Sequence, residues 1–230
     1  MSMSRTLATL LVAALLPLGA CNKQRPLHVV LRNGDIAAEH GQHEVAVKEY
    51  GEFIERRPEA SEVRYKLAKS LTASGHPRQA IEQLNVALDV EPLHDDYLDA
   101  LAEAMYAANE RDALTALLAR AASERGRVRD YLRQGVYSSK LGNADEAQQS
   151  LLTAAKLDQG MSVAPQKALA DFYGQMGDRQ RQVRRLRMAY FLDPDNKEVN
   201  ADIRRLGEVP GPTLGLRPEE MSLAALPESK

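Results

Sequence analysis

The 230-residue chain has one cysteine, no tryptophan and only 5% aromatic residues. A single cysteine excludes an internal disulfide framework and a zinc site built from paired thiolates. So few aromatics argue against a β-sandwich core and favour helices packed closely through small side chains. Charge of one sign is also lacking: 30 Lys+Arg stand against 32 Asp+Glu, which gives no basic footprint for nucleic acid. No Gly-rich phosphate loop and no Gly-x-Ser-x-Gly elbow occurs, so nucleotide and acyl-transfer chemistry have no motif. No run reaches the ~20 apolar residues a membrane span needs.

What is present begins with a leader. Residues 1–20 carry Arg5 and then the apolar run from Leu7 to Leu16, and end in Leu18-Gly19-Ala20 before Cys21. This stretch resembles the lipobox of bacterial lipoproteins. The resemblance implies cleavage before Cys21, lipidation of its thiol and tethering of the mature chain to a membrane. The alternative is an ordinary secretory signal that leaves Cys21 a free thiol. Asn22 replaces the aspartate that retains Gram-negative lipoproteins at the inner membrane. The expected location is therefore the periplasmic face of the outer membrane, if the host has two membranes. Residues 21–26 form a short lipid-anchored linker that reaches about 20 Å.

Two series then fall on one ruler. Pro58 and Pro92 are one interval apart, and Pro194 is on the same frame. Gly41 and Gly75 are separated by the same interval, with Gly142 and Gly177 further along and Asn109 in the vacant turn slot. The interval is about 34 residues, within the range of helical-repeat proteins. On both sides of each turn apolar residues recur at three- and four-residue spacing, so each unit is a helical hairpin. The second unit, Leu67-Ala68, Leu71, Gly75, Ala80, Leu84, Ala87 and Pro92, resembles the tetratricopeptide repeat. Units one, four and five match through Gly34, Tyr50 and Pro58; Gly135, Gly142 and Leu151; and Leu169-Ala170, Gly177 and Leu186. The fourth has Gln159 where proline is usual. The third fits at Leu101-Ala102 and Met105 and then slips by one residue, to Ala113 and Leu117.

The resemblance implies an all-α, right-handed superhelical solenoid of about five hairpins over residues 27–206, its last stretch, Asn196 to Leu206, a capping helix. Pro77, Asn143 with Glu146, and Asp178 are helix-start signals. Residues 207–230 form a Pro/Gly-rich tail that either stays extended or docks on the solenoid or a partner. Arg179, Arg181, Arg184, Arg185 and Arg187 read as a solvated helix face, or as a patch for phosphate or an anionic membrane.

In tetratricopeptide solenoids the first helix of each hairpin lines a concave groove that holds protein partners. Outward positions there nominate Tyr65, Lys69, Asp99, Glu103, Tyr106, Arg129, Arg133 and Lys140. The third repeat is then acidic and the fourth basic, which would set the register of an extended peptide by charge. Equally, Asp99 and Arg133 pair with each other across neighbouring helices. Leu31 and Asp35 stand where chaperone-tail binders carry a Lys/Asn clamp, which disfavours that partner. His40 and His43 beside Glu39 and Glu44 match no metal motif, and Asp193-Pro194-Asp195-Asn196 lacks the ligands of a calcium loop. The expectation is a membrane-tethered scaffold or assembly factor of the envelope, with no catalytic residue, cofactor or metal. The alternative is an enzyme or small-ligand receptor built into the groove.

Overall fold

The computed structural model describes residues 24–221, so the expected leader, Cys21 and the last nine residues lie outside the described residues. Eleven α-helices and no strands are found among the described residues: α1 Leu27–Glu39, α2 His43–Arg56, α3 Ser61–Ala73, α4 Pro77–Val90, α5 Asp95–Ala107, α6 Arg111–Arg125, α7 Val128–Lys140, α8 Ala144–Asp158, α9 Val163–Gln175, α10 Arg179–Leu192 and α11 Lys197–Arg205. They form five hairpins and a closing helix. The first helices of the hairpins, the A helices, start at Leu27, Ser61, Asp95, Val128 and Val163, and α11 starts at Lys197, so every step keeps the period to within a single position. Each hairpin turns through a residue of positive φ: Gly41, Gly75, Gly142, Gly177 and, in the third, Asn109. Asp178 caps α10 by accepting from the Arg181 N–H at 3.0 Å. Asn143 makes no such bond, and Glu146 accepts from Gln134 instead.

One rule governs the packing. The eighth residue of every A helix is Gly34, Ala68, Ala102, Gly135 or Ala170, and the eighth residue of every second, or B, helix is Tyr50, Leu84, Leu118, Leu151 or Leu186. All ten are buried. A Cβ on Gly34 would stand 2.6 Å from the Tyr50 ring, and one on Gly135 2.6 Å from Leu151 Cγ. The large B residue thus fills the space the small A residue leaves, and the two axes close up.

The third hairpin corrects the sequence reading. Its pattern does not slip: Leu114 and Leu118 are in register and buried, while Leu117 is only partly buried and Ala113 exposed. The irregularity is one of size. Leu114 stands where α2, α4 and α8 have Ala46, Ala80 and Ala147, and α5 and α6 pack more loosely than any other hairpin. The apolar core divides accordingly, with a large cluster over the first three hairpins, a small one around Ala102, Leu114 and Leu118, and separate clusters beyond.

At the C-terminal end α11 lays Val199 and Ile203 on the fifth hairpin. The tail through Met221 then folds back along α10, so of the two expected states the described part takes the docked one. Leu214 joins the last cluster, and Pro218 covers Gly160. The arginine run of α10 is spent on this arrangement. Arg179 donates to the Leu206 carbonyl, Arg184 pairs with Glu219, Arg185 with Glu220, and Arg187 donates to the Leu214 carbonyl. Asp178 takes Arg181.

Gly135→Val should force α7 and α8 apart and destabilise the protein by about 2 kcal/mol. A Cβ at Gly51, inside α2, meets nothing within 4 Å. Gly51→Ala should therefore stabilise by ~0.5–1 kcal/mol. Urea midpoints at unchanged m-value check both.

Candidate protein-binding groove

Because the A helices repeat in register, the same positions of each line one face. The sixth and ninth residues are Lys66 and Lys69 in α3, Ala100 and Glu103 in α5, Arg133 and Val136 in α7, and Ala168 and Asp171 in α9. Two cavities open along this face. One of about 540 Å³ lies over the first three hairpins, with Glu39, His43, Lys66, Lys69 and Glu103 in its lining. Another of about 870 Å³ lies over the last two and the cap, lined by Val136, Lys140, Lys167, Asp171 and Phe172 among others.

Between them stands a wall of ion pairs. The α6–α7 linker is only Gly126 and Arg127, and it brings Arg125 and Arg127 over the start of α7. Asp130, in the first turn of α7, has no exposed side-chain surface and accepts from Arg125, from Arg127 Nε at 3.1 Å and from Arg133 Nη1 at 3.1 Å. Arg133, its side chain 3% exposed, reaches back to Asp99 on α5. Arg129 pairs with Asp96 at 2.7 Å and with Asp99, while Asp95 takes Arg125 at 3.2 Å and also Arg127. Four aspartates and four arginines balance. Burial alone would raise the Asp130 carboxyl, but the bonds from Arg127 and Arg125 outweigh it and hold it below the usual range.

The nominated residues therefore separate into two groups. Asp99, Arg129 and Arg133 belong to the wall, where the acidic and basic sides expected to face a ligand neutralise each other. Lys69 and Glu103 line the first cavity and Lys140 the second, while Tyr65 and Tyr106 line neither and stand beside Lys69 and Lys140. Lys69 lies 5.4 Å from the Tyr65 ring centre, and Tyr65 is 5.2 Å from Tyr97. Lys140 lies 5.4 Å from Tyr106 and 4.7 Å from Tyr137, whose rings are 5.8 Å apart. Burial and the nearby charges of Glu103 and Asp99 push the Tyr137 hydroxyl up to about 12, so it remains a donor at neutral pH. Tyr106 is 41% exposed and presents an aromatic face flanked by an ammonium.

The sequence reading missed Tyr97 and Tyr137, which complete these pairs, and Lys167. Lys167 is clamped by Asp171 at 2.7 Å and by Glu198 and Asp202 at 3.1 Å each. It opposes burial, which lowers its pKa, with enough carboxylate partners to hold it raised. His40 Nδ1 is within 2.8 Å of the Ile36 carbonyl, and no group of His, Cys, Asp and Glu fit to hold a metal occurs among the described residues. Asn196 spends its side-chain oxygen on capping α11, accepting from the Val199 N–H at 3.1 Å. No helix among the described residues is long and apolar enough to cross a membrane.

Residues 37–104, from the end of α1 into α5, match the family model of the tetratricopeptide repeat. The fold is a tetratricopeptide-repeat solenoid. It superposes on a thermophilic TPR protein of Thermus thermophilus with a TM-score of 0.59 at 20% identity, covering 79% of this chain and 98% of that one. A MamA protein gives 0.53 at 19% identity, covering 78% and 94%, and MamA from Desulfovibrio magneticus RS-1 gives 0.54 at 13%, covering 74% and 97%. No curated protein matches the sequence. These likenesses establish the tetratricopeptide fold.

Asp130→Asn leaves three arginines short of their buried partner and should cost about 3 kcal/mol of stability. The carboxyl is held below its unfolded value of roughly 3.9, so its contribution is complete above that pH and is lost as pH falls through the lower folded value. Melting temperature in the wild type should thus fall steeply below pH ~4, and less steeply in the variant, as scanning calorimetry can show.

Proposed function

We propose that this protein is a scaffold or assembly factor, tethered to a membrane of the bacterial cell envelope, that holds an extended segment of a protein partner along the A-helix groove. The observation that carries this reading is the pair of cavities on one face of the solenoid, with Lys69, Glu103 and Lys140 in their linings and Tyr106 beside Lys140. A segment spanning both cavities crosses the neutral wall, so aromatic and lysine contacts carry the recognition and the wall supplies shape. Assembly of pili, secretion machinery or outer-membrane proteins is work of this kind.

The tether rests on Leu18-Gly19-Ala20-Cys21. A short leash supports it. Arg25 is fixed by Glu49 at 2.9 Å and by Glu52, and its carbonyl accepts from Arg56 Nη1 at 2.7 Å. Only four residue steps separate Cys21 from Arg25, a reach of roughly 14 Å. Lipid at Cys21 would therefore hold the first hairpin against the membrane surface, on its outer-membrane periplasmic face in a host with two membranes.

In affinity recovery from envelope extracts, Lys69→Ala/Tyr106→Ala/Lys140→Ala should retain less than a tenth of the wild-type yield of each specific partner, with the helical circular dichroism unchanged. Equal yield would remove the groove from the reading. Separately, Cys21→Ala should move the protein to the soluble fraction; a variant that stays with membranes to the same extent is not anchored by lipid.

A further inference from the structure

The segment Leu214 to Met221 is held as a peptide ligand is held. It forms no helix or strand, and it is reached through a connector containing Gly207, Pro210, Gly211 and Pro212 in which Val209 is 81% exposed. Its main chain is read by one residue of α10: the Leu216 N–H donates to the Arg187 carbonyl at 3.0 Å, and Arg187 Nε donates to the Leu214 carbonyl at 2.8 Å. Its acidic pair is read by side chains. Glu219 pairs with Arg184 at 2.6 Å, and Glu220 accepts from Arg185 Nη1 at 2.6 Å and from Gln166 Nε2 at 3.0 Å. Pro218 fills the hollow over Gly160, where a Cβ would come within 2.7 Å of it.

Arg185 and Gln166 decide what the cleft accepts. Both are buried, and Arg185 Nη1 also donates to Gln166 Oε1 at 2.8 Å. The positions equivalent to Arg185 in the other B helices hold Glu49, Gln83, Leu117 and Ser150, so the arginine is no requirement of the repeat. Glu219 also lies 3.9 Å from Arg185 Nη2, so a tail that leaves takes both carboxylates from this guanidinium, and another acidic segment can restore them. α11 covers the last hairpin with Val199 and Ile203, and Leu214, at the start of the segment, packs against the same cluster.

We infer that the cleft between Gly160, Gln166, Arg184 and Arg185 is a second peptide-recognition site, separate from the groove, which accepts an acidic Leu-x-Leu-x-Pro-Glu-Glu segment of a partner protein and is masked in cis by the chain's own tail. Bonds from Arg185 and Gln166 outweigh burial and keep the Glu220 carboxyl below its usual range, so the bound segment carries its charge. The connector makes exchange possible: the tail competes at an effective concentration of the order of millimolar, and a partner segment wins when it binds more tightly or is itself tethered nearby.

The test uses the full chain carrying Glu219→Lys/Glu220→Lys, which sets like charges against Arg184 and Arg185 and expels the tail. A fluorescent peptide with the sequence of residues 212–221 is titrated and its anisotropy followed. The tail-expelled variant should bind it at least tenfold more tightly than wild type, and a peptide with glutamine at both glutamate positions should lose that binding. Arg184→Glu, on a side chain 59% exposed and so tolerated by the fold, is combined with Glu220→Lys alone, so that Glu219 and the new lysine both still repel the cleft; it should abolish binding of the natural peptide and restore it for one with lysine at the first glutamate. Circular dichroism and melting midpoints on every variant separate lost folding from lost recognition. Equal binding by wild type and tail-expelled protein at unchanged helicity, or equal binding of the glutamate and glutamine peptides, overturns the inference.

Discussion

Gly34, Ala68, Ala102, Gly135 and Ala170 each face a large partner on the following helix, and the close approach they allow is what the remaining architecture rests on. A hairpin whose axes lie close can turn through a single residue of positive φ, and hairpins of nearly equal length stack at a constant step. That constant step places corresponding residues of α3, α5, α7 and α9 side by side. The groove is therefore a by-product of packing on the opposite side of the same helices. Tyr50, larger than the leucines at its equivalent positions, is accommodated because its partner is glycine.

Where the apolar fit weakens, charge adds to it. α5 and α6 pack more loosely than the other hairpins, the core divides there, and the joint between the third and fourth hairpins combines Tyr137 and Leu141, packed on Leu114 and Leu118, with the ion pairs of Asp130 and the arginines around it. Its exposed members, Arg129 with Asp96 and Asp99, contribute little to stability on general grounds. The buried pair of Asp130 and Arg133 fixes geometry, since either charge left alone would be expensive. The functional consequence is that most of the charge on α5 and α7 is already satisfied. In the proposed reading, what the groove offers a partner is aromatic surface and lysine.

Helix number, turns and pairing were legible in the sequence because one period returns small and large residues to fixed places. The third hairpin was misread for a local reason. In Ala113-Leu114-Thr115-Ala116-Leu117-Leu118 an apolar residue lies at every plausible register, so pattern alone cannot select Leu114 and Leu118. The groove was half legible. Outward positions of A helices follow from the period, and Asp99 and Arg133, a full period apart, are neighbours by the same arithmetic. Tyr97, Tyr137 and Lys167 were missed because their roles come from which neighbour leans over them. The tail carries no periodicity, so nothing in its sequence announced that Glu219 and Glu220 would reach Arg184 and Arg185.

The protein thus presents one face shaped by its repeats and one cleft filled by its own terminus, on a body whose Arg25, fixed to the first hairpin, is only a few steps from Cys21. The central claim is that the A-helix face is the one that holds a partner. Site-specific photocrosslinking in intact envelopes tests it directly, with the reactive side chain placed at residue 106 on that face or at residue 86 on the exposed side of α4. A discrete protein adduct from position 106 and none from position 86 is the result the account predicts; the same adduct from both, or an adduct from position 86 alone, would contradict it.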